Sequence, residues 1–589
     1  MIEPRVADSA EGRLYGVVQS VAPAWPTLES PDDLAALAPR FVRSLGAEFD
    51  LAALSGRVCP VALEDGRAAL FALADYVDGD QADELARMLL RRGLRMARPQ
   101  RYIVSPSLLL MVARGQFRGT HAERTGIPAS PARRSALASM FAEFVRWGAR
   151  AGASDLHINV NEQGADSQVR YTINGAYVAP DCFEGIAAST LREVLAVAWM
   201  DVRGGNGAVF DPRIEQQGRI AMQVDGASFT LRWASLATDT GPSVCLRLLR
   251  LDKPDGGATL SQLGYLPTQQ RALEAARERE GGAIVIAGIV GSGKSTTLAT
   301  LMRGIDPARK VITLEDPVEY LIGNALQNTV GRSLDAEPQH PFDAKLRTIK
   351  RSAMNDLLIG EVRDHETGRA FMDLAGSGAS VYTTTHTGSA LMIPERLASD
   401  FIGVSRDFLA TPGVLKLLVY QTLLPRLCPD CALPIEVLWR GGHPRGGHPS
   451  DEHPHDERPA WRAWADEFGR VFDVDPGRLR VRDPAGCPAC NRPGLDRLAL
   501  SGRTGRTVVA EMFEPAEDAV LLDCIRRRDN PALMRHLAGL PRTPAGDSDM
   551  TGKPVSLCAV YKALQGEIDA RVLARQFGLC GWARRRASP

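Results

Sequence analysis

Residues 281–300 read GGAIVIAGIVGSGKSTTLAT, and this stretch decides the fold. A short apolar strand leads into Gly288, and the pattern Gly-x-x-x-x-Gly-Lys-Ser then runs to Ser295, where a helix is expected to begin. A phosphate-binding loop of this kind, a P-loop, wraps its backbone N–H groups around a phosphate. Its lysine and hydroxyl side chains contact further phosphate oxygens and Mg²⁺. We refer to residues 288–295 as the P-loop. The sequence therefore predicts a site for ATP or a related nucleoside triphosphate, with contacts from Gly288, Gly291, Ser292, Gly293, Lys294, Ser295 and Thr296.

The alternative for this stretch is an ordinary glycine-rich turn between a strand and a helix. The complete eight-residue pattern, placed directly after a β-branched run, argues against that alternative.

The size and charge of the chain limit its class. A chain of 589 residues is too long for one hydrophobic core and indicates several domains. Its 70 basic and 70 acidic residues balance, which argues against a protein whose main task is to neutralise a nucleic-acid backbone. The N-terminus lacks an apolar signal region, and no stretch approaches the ~20 apolar residues of a membrane span. We therefore expect a cytoplasmic protein without a transmembrane segment.

Strand-like runs alternate with helical segments after the P-loop. Strands are expected at 283–287, 310–314, 356–360 and 379–384, and this alternation predicts a parallel sheet with covered faces. Residues at the carboxyl ends of such strands share one edge with the P-loop, which makes Glu315, Glu361 and His386 candidates for the same site. Glu361 could hold Mg²⁺ through water or polarise the attacking water, and His386 could sense the γ-phosphate. For the carboxylates around Glu315, a helix cap with surface charge is an equal alternative.

Four of the ten cysteines form two Cys-x-x-Cys pairs. This spacing is typical of a tetrahedral Zn²⁺ site, here from Cys428, Cys431, Cys487 and Cys490, and four thiolates make such a site structural. A Gly/Pro-rich stretch between the pairs, at about 438–460, carries His443, His448, His453 and His455. We interpret it as a disordered insertion rather than a second metal site.

The N-terminal region, residues 1–135, has no recognisable chemistry. Its helical apolar periodicity is broken by Pro and Gly, and residues 85–122 carry eight arginines without Asp or Glu. A solvated helix face explains this stretch better than an anionic membrane surface or an acidic partner.

The order and spacing of the motifs resemble the secretion ATPase family, the hexameric motors of type II secretion and type IV pilus assembly. Residues 288–295 resemble its Walker A motif, 313–320 its Asp box, 360–364 its Walker B motif and 384–387 its His box. Residues 153–157 and 216–219, with Arg232 and Arg247, resemble the N2 domain, whose arginines reach the nucleotide. The cysteine pairs and residues 502–511 resemble the branch that carries a tetracysteine element.

Three departures from the family pattern suggest a divergent branch, of the conjugative thin-pilus type. Arg351-Ser-Ala-Met-Asn355 replaces an acidic run before Walker B, Ala379 stands where the first histidine of the His box is usual, and Ala234 replaces the serine of the Arg-x-Ser motif. Because no phosphate ligand is lost, we still expect ATPase activity.

The resemblance implies an α/β fold class, in which a RecA-like P-loop domain with a parallel sheet (256–427) follows a smaller α/β N2 domain (136–255). A zinc-binding element (428–510) and a helical C-terminal region (511–589) would follow it.

The implied function is that of a Mg²⁺-dependent ATPase, with Glu315, Glu361, His386, Arg232 and Arg247 as catalytic residues. It would form a homo-hexamer, associate peripherally with the inner membrane through a platform protein and power assembly of a pilus or pseudopilus. Stable nucleic-acid binding is not expected. A nucleic-acid-translocating motor and a non-hydrolysing, nucleotide-binding scaffold are the alternatives.

Overall fold

The computed structural model describes residues 25–28, 33–34, 36–46, 49, 57–104, 106–113, 131–163, 167–251, 257–330, 341–440, 458–491 and 500–581. The chain divides into two compact units, residues 1–130 with 207–209, and residues 131–206 with 210–589. Most of the insertion expected at 438–460, with its four histidines, lies outside the described residues. Within the described part of the chain, no helix combines the length and apolar character needed to cross a bilayer.

The first unit contains a five-stranded mixed sheet in the order β1-β5-β4-β3-β2. Its strands are β1 Thr27–Leu28, β2 Phe41–Ser44, β3 Val58–Leu63, β4 Ala68–Ala72 and β5 Met96–Val104, and its helices are Asp80–Arg91 and Pro106–Ala113. The sequence of this unit indicated only helical periodicity. Strands β3 and β4 are buried along almost their whole length, so their residues read as continuous apolar runs without an alternation of period two.

The arginine-rich stretch of this unit is only partly a solvated helix face. Arg87 and Arg91 are exposed on the helix and lie near Glu84. Arg101, in contrast, is buried on β5, where it donates to Val77 O and pairs with Asp83. The interpretation as a solvated face therefore holds for the helix and for Arg98, which is exposed on β5, but is wrong for Arg101; Arg114 and Arg118 lie outside the described residues.

The second unit begins with a six-stranded antiparallel sheet in the order β8-β7-β6-β11-β10-β9. Its strands are β6 Asp155–Asn159, β7 Gln168–Ile173, β8 Ala176–Val178, β9 Gln216–Val224, β10 Ala227–Thr238 and β11 Gly241–Arg250. The helices Pro131–Ala151 and Ala188–Trp199 pack together and cover it. Strand β10 alternates buried and half-buried residues, so that Leu231 and Trp233 face the core while Arg232 lies on the opposite face.

A seven-stranded sheet follows in the order β14-β13-β15-β16-β12-β17-β20. Its strands are β12 Ala283–Ala287, β13 Val311–Glu315, β14 Ala325–Thr329, β15 Asp356–Ile359, β16 Ser380–Thr385, β17 Leu415–Leu427 and β20 Arg503–Phe513. All neighbours are parallel except β17 and β20, which are antiparallel. The helices of this region are Leu260–Leu263, Pro267–Glu278, Lys294–Arg303, Pro341–Lys350, His365–Ala375, Met392–Leu397 and Arg406–Leu409.

Strand β20 belongs to a different domain from the one predicted from the sequence. Most of it falls in the segment assigned to the zinc-binding element, yet it pairs with β17 and forms the edge of the P-loop sheet. Because β20 is antiparallel to β17, its first residues lie beside the carboxyl ends of the parallel strands. This pairing joins residues that are distant in sequence, so no local sequence pattern predicts it.

The rest of the C-terminal region is largely helical. A two-stranded sheet of β18 Leu433–Pro434 and β19 Arg480–Val481 accompanies the helices Val437–Arg440, Arg458–Phe472, Ala519–Arg527, Asn530–Gly539, Val555–Leu564 and Ala570–Arg575. Trp461, Trp464 and Phe468 on one of these helices are buried in a cluster with residues from Val555–Leu564.

Candidate active site

The P-loop lies between a buried strand and a helix N-terminus. Every residue of β12 is buried, and the helix Lys294–Arg303 starts directly after the loop. Gly293 precedes that helix with φ +85°, a left-handed conformation that a residue with a Cβ adopts at a cost. The backbone N–H groups of this helix start have no helical acceptors, so they are available to a phosphate.

Lys294 is buried at the mouth of the loop. Its Nζ donates to Gly288 O at 2.8 Å and to Ile289 O at 3.1 Å. Burial lowers the pKa of Lys294 to about 8, although the carboxylates of Glu361 and Glu319 oppose that shift. The two carbonyls neutralise the ammonium group only weakly, so an anionic phosphate would be a stronger partner.

A cleft of about 790 Å³ opens above the P-loop. It brings together almost all the residues expected at the site, since it is lined by Gly291, Ser292, Gly293, Lys294, Ser295, Thr296, Glu315, Glu361, His386, Arg232 and Arg247. Gly288 does not line the cleft, but its carbonyl accepts from Lys294.

Two carboxylates face this cleft from neighbouring strands. Glu315 ends β13, and its Oε1 accepts from Thr313 Oγ1 at 2.6 Å and from Gln327 Nε2 at 3.1 Å. Burial raises the pKa of Glu315 above its ordinary value, and these hydrogen bonds oppose the rise. Glu361 follows β15 and has its Oε1 3.3 Å from His386 Nε2. Either carboxylate could accept a proton from water, and Glu315 is the one held more firmly by neutral partners.

His386 follows β16 at the same edge of the sheet. Burial, and then the positive charge of Lys294, lowers the pKa of His386 below its ordinary value. The imidazole is therefore neutral near pH 7 and hydrogen-bonds to the backbone of Gly288, while its Nε2 lies 3.3 Å from Glu361 Oε1. This contact ties the residue after β16 to the carboxylate after β15.

Three arginines lie side by side on the antiparallel sheet. Arg232 on β10 is opposite both Arg219 on β9 and Arg247 on β11. Arg247 Nε lies 3.1 Å from Asp155 Oδ1, whereas Arg232 forms no ion pair among the residues that the structure describes. Arg232 and Arg247 line the cleft of their own chain, and Arg219 lies one strand further away. The half-buried charge of Arg232 thus lacks an anion.

A family model, described as "Type II/IV secretion system protein", matches residues 134–540. The chain belongs to this family. It is 31% identical over 383 residues to the type II secretion system protein HxcR of Pseudomonas aeruginosa, covering 64% of this chain and 65% of that protein. It is 29% identical over 395 residues to the type II secretion system protein E of Pectobacterium carotovorum subsp. carotovorum, covering 66% of this chain and 68% of that protein.

The type II secretion system ATPase E of Vibrio cholerae is another relative of the chain, at 30% identity over 362 residues, with 60% of this chain and 61% of that protein covered. The chain thus spans about two thirds of the length of these relatives. Among solved structures, it is similar to the Legionella pneumophila ATPase DotB, with a TM-score of 0.46 and 17% identity over 75% of this chain and 95% of that one. The family assignment rests on the sequence matches.

One residue of the cleft, Arg506, was not predicted as a site residue. Arg506 is half-buried near the start of β20, and its Nη1 lies 3.4 Å from Gly291 O. It reaches the P-loop because β20 runs antiparallel to β17, which brings its first residues to the edge where the P-loop lies. The sequence offered only the basic pattern Gly502-Arg-Thr-Gly-Arg506, whose strand pairing it did not reveal.

The tetracysteine cluster lies at the same edge, directly after β17. The Sγ atoms of Cys428, Cys431, Cys487 and Cys490 all lie within 4.8 Å of one another. The Cys428–Cys487 pair is 3.7 Å apart, and the Cys431–Cys490 and Cys487–Cys490 pairs are 3.8 Å apart. Four sulfurs each about 2.3 Å from a central tetrahedral Zn²⁺ would be about 3.8 Å apart. The donor set and its spacing therefore fit zinc.

Backbone donors surround this cluster. The N–H groups of Cys487 and Gly502 each lie 3.2 Å from Cys490 Sγ. Such donors stabilise a thiolate and fix its orientation toward a metal ion. Gly502 directly precedes β20, so the cluster is bonded to the strand that carries Arg506.

Proposed function

We propose that this protein is a Mg²⁺-dependent ATPase that powers the assembly of a type IV pilus or a type II secretion pseudopilus. One observation carries the proposal. A single cleft combines the P-loop lysine Lys294, the carboxylates Glu315 and Glu361, and Arg232, a cation without an ion pair among the described residues. Phosphoryl transfer needs these three kinds of group to hold phosphate, to position water and to neutralise developing charge.

The chain's own residues would divide the reaction as follows. Backbone N–H groups of the P-loop and Lys294 hold the phosphates, while Ser295 and Glu361 would hold Mg²⁺, which supplies neutralising charge at the phosphate oxygens. Glu315 or Glu361 accepts the proton of the attacking water, and the neutral His386 lies beside Glu361, with its Nε2 3.3 Å from Glu361 Oε1. Arg232, with Arg247, stabilises the negative charge that develops on the γ-phosphate.

The three departures from the family pattern do not remove any of these groups. Ala379 precedes β16, whereas His386 follows it, so about 20 Å of extended strand separates Ala379 from the cleft. Asn355 likewise precedes β15, where it pairs with Lys310 N at the opposite edge of the sheet. Ala234 is exposed on β10 and does not line the cleft. The geometry thus favours turnover over a scaffold that only binds nucleotide.

The ATPase would work within a larger assembly. The names of the relatives support a role in a secretion machine, and the family resemblance supports a homo-hexamer in the cytoplasm that contacts an inner-membrane platform protein. Closure of the antiparallel sheet over the P-loop would link hydrolysis to movement, because Arg232 lies on the antiparallel sheet and Lys294 begins the helix that follows β12 of the P-loop sheet.

Steady-state phosphate release by the purified full chain tests the proposal. We expect release that requires ATP and Mg²⁺ and that neither single- nor double-stranded DNA stimulates. Nucleotide binding without release would favour the scaffold, and stimulation by DNA would favour the nucleic-acid motor. Lys294→Ala is the matched control, because it removes the phosphate-binding charge without removing a core side chain.

A further inference from the structure

Gln421 on β17 has its side chain against the P-loop. It is completely buried. Its Nε2 donates to Ser292 O at 2.7 Å, and its Oε1 accepts from Tyr265 OH at 2.5 Å. Tyr265 is itself buried and lies 3.2 Å from Thr297 Oγ1 on the helix that follows the P-loop.

Gln421 also lies close to both ends of the loop, at Gly288 and at Gly293. A Cβ added to Gly288 would lie 2.3 Å from Gln421 O, so a side chain at the start of the loop would collide with this backbone. A Cβ added to Gly293 would lie 3.4 Å from Gln421 Nε2. Between these points, Ile289 and Val290 are 60% and 68% exposed. The middle of the loop is therefore free on its outer side and is held from its inner side by Gln421.

The direction of these bonds has a consequence for phosphate binding. A phosphate cradle needs the N–H groups of the loop to face outward, which requires carbonyls of the loop to face elsewhere. Gln421 supplies a buried donor for the carbonyl of Ser292, and Tyr265 fixes the amide orientation because its hydroxyl donates to the amide oxygen. Without these donors, the carbonyl of Ser292 would be buried without a partner or would turn outward toward the phosphate.

We infer that Gln421 and Tyr265 are positioning residues that set the P-loop conformation for phosphate binding. The inference rests on the proposed nucleotide chemistry of the cleft. It assigns them no contact with the nucleotide, because both act through the backbone of Ser292.

The test measures the dissociation constants of ATP and ADP for variants of the full chain. Gln421→Met keeps the length of the side chain but removes the amide nitrogen and the amide oxygen, and we expect about tenfold weaker binding, the effect of one lost buried hydrogen bond. Both nucleotides should be affected equally, because the loop cradles the β-phosphate that they share. Tyr265→Phe removes one oxygen atom and should weaken binding in the same direction by a smaller factor.

The double variant tests whether the two residues act as one unit. If Tyr265 acts only by orienting Gln421, then Tyr265→Phe adds nothing to Gln421→Met, and the double variant binds ADP as Gln421→Met does. Additive effects would contradict the relay. If Gln421→Met does not fold, Tyr265→Phe alone decides, and an unchanged ADP dissociation constant in it overturns the inference.

Gln269 provides a matched control. It is also a buried glutamine, with Nε2 2.9 Å from Ala510 O and Oε1 3.0 Å from Leu266 N, and it makes no hydrogen bond to the P-loop. Gln269→Met should lower the melting temperature without nucleotide, as Gln421→Met does, but should leave the ADP dissociation constant unchanged. A general loss of stability would instead weaken binding in both variants. Wild-type protein that binds no nucleotide overturns the proposed function, whereas normal binding by Gln421→Met in a binding-competent protein overturns only this inference.

Discussion

Lys294 determines how nucleotide affinity should depend on pH. Its pKa is lowered to about 8 in the cleft, whereas phosphate oxygens favour its charged form and would raise the pKa in the complex. The charge therefore contributes fully to affinity below pH ~8, and this contribution is lost as pH rises above that value. We expect the ADP dissociation constant to be steady up to about pH 7.5 and to increase toward about pH 9.

Lys294→Arg is the control for this dependence, because a guanidinium group stays charged throughout this range. Its ADP affinity is expected to be lower than that of the wild type at neutral pH and to stay steady as the pH rises. Isothermal titration calorimetry at a series of pH values measures both proteins. A parallel loss of affinity in Lys294→Arg would assign the pH dependence to another group.

Glu361 and Glu315 can be distinguished by the same type of substitution. Glu361→Gln should retain ATP binding and lose on the order of 10² or more in turnover, because the amide cannot take a proton from water. Glu315→Gln retains a carbonyl oxygen for Thr313 and Gln327, so that its local structure should persist. Rates of phosphate release measured beside nucleotide affinity separate the two. If only Glu315→Gln loses turnover, the general base is Glu315.

The tetracysteine element is expected to depend on its metal. Purified protein should contain about one Zn²⁺ per chain, since the four sulfurs fill a tetrahedral shell. Cys487→Ser should lower both the zinc content and the melting temperature, because a serine hydroxyl replaces a thiolate ligand. Cys182→Ser is the control, since Cys182 is exposed and outside the cluster. Zinc-free wild-type protein purified under reducing conditions would contradict a zinc site.

The elements of the P-loop sheet were predictable where local sequence determines them. The strands predicted at 283–287, 310–314, 356–360 and 379–384 agree with the observed strands to within one residue at each end. The first three are short, largely apolar runs, the fourth is rich in Thr, which favours strands, and all four are almost entirely buried, as parallel strands are. Their shared carboxyl edge then explains why Glu315, Glu361 and His386 lie together.

Other elements depend on pairing between distant residues, and local sequence could not reveal them. The second domain was expected to be a smaller α/β domain. Its strands form two runs of hairpins, β6–β8 and β9–β11, and the pairing of β6 with β11, which are distant in sequence, joins them into one antiparallel sheet. Arg506 and Gln421 reach the P-loop through β20 and β17, whose positions in the sheet follow from those pairings. Residue type alone therefore predicted the phosphate-binding residues but not the groups that contact the loop from its inner side.

At the scale of the whole molecule, Arg232 connects the antiparallel sheet to the cleft of the P-loop sheet. Arg232→Ala should reduce hydrolysis far more than nucleotide binding, by about 10³ if the residue acts as an arginine finger. If Arg232 contributes only surface electrostatics, its removal changes stability by about 0–1 kcal/mol and leaves the rate unchanged.

Arg219→Ala is the matched control, because Arg219 is the neighbour of Arg232 on the next strand but does not line the cleft. Steady-state kinetics of both variants should be accompanied by light scattering, which reports whether each forms the same oligomer as the wild type. A normal rate for Arg232→Ala in an intact oligomer would exclude the finger. Equal losses in both variants would indicate a general effect of positive charge.

The late position of β20 in the chain has a consequence for biosynthesis. The outer side of β17 in the P-loop sheet remains unpaired until the ribosome has produced residues 503–513, although β12 to β17 are already complete. Closing the intervening segment costs chain entropy that grows with the logarithm of its length. The cysteine pairs lie at the two ends of that segment, next to β17 and shortly before β20. Metal capture by the nascent chain would therefore shorten the remaining loop and reduce the time during which an open strand edge could aggregate.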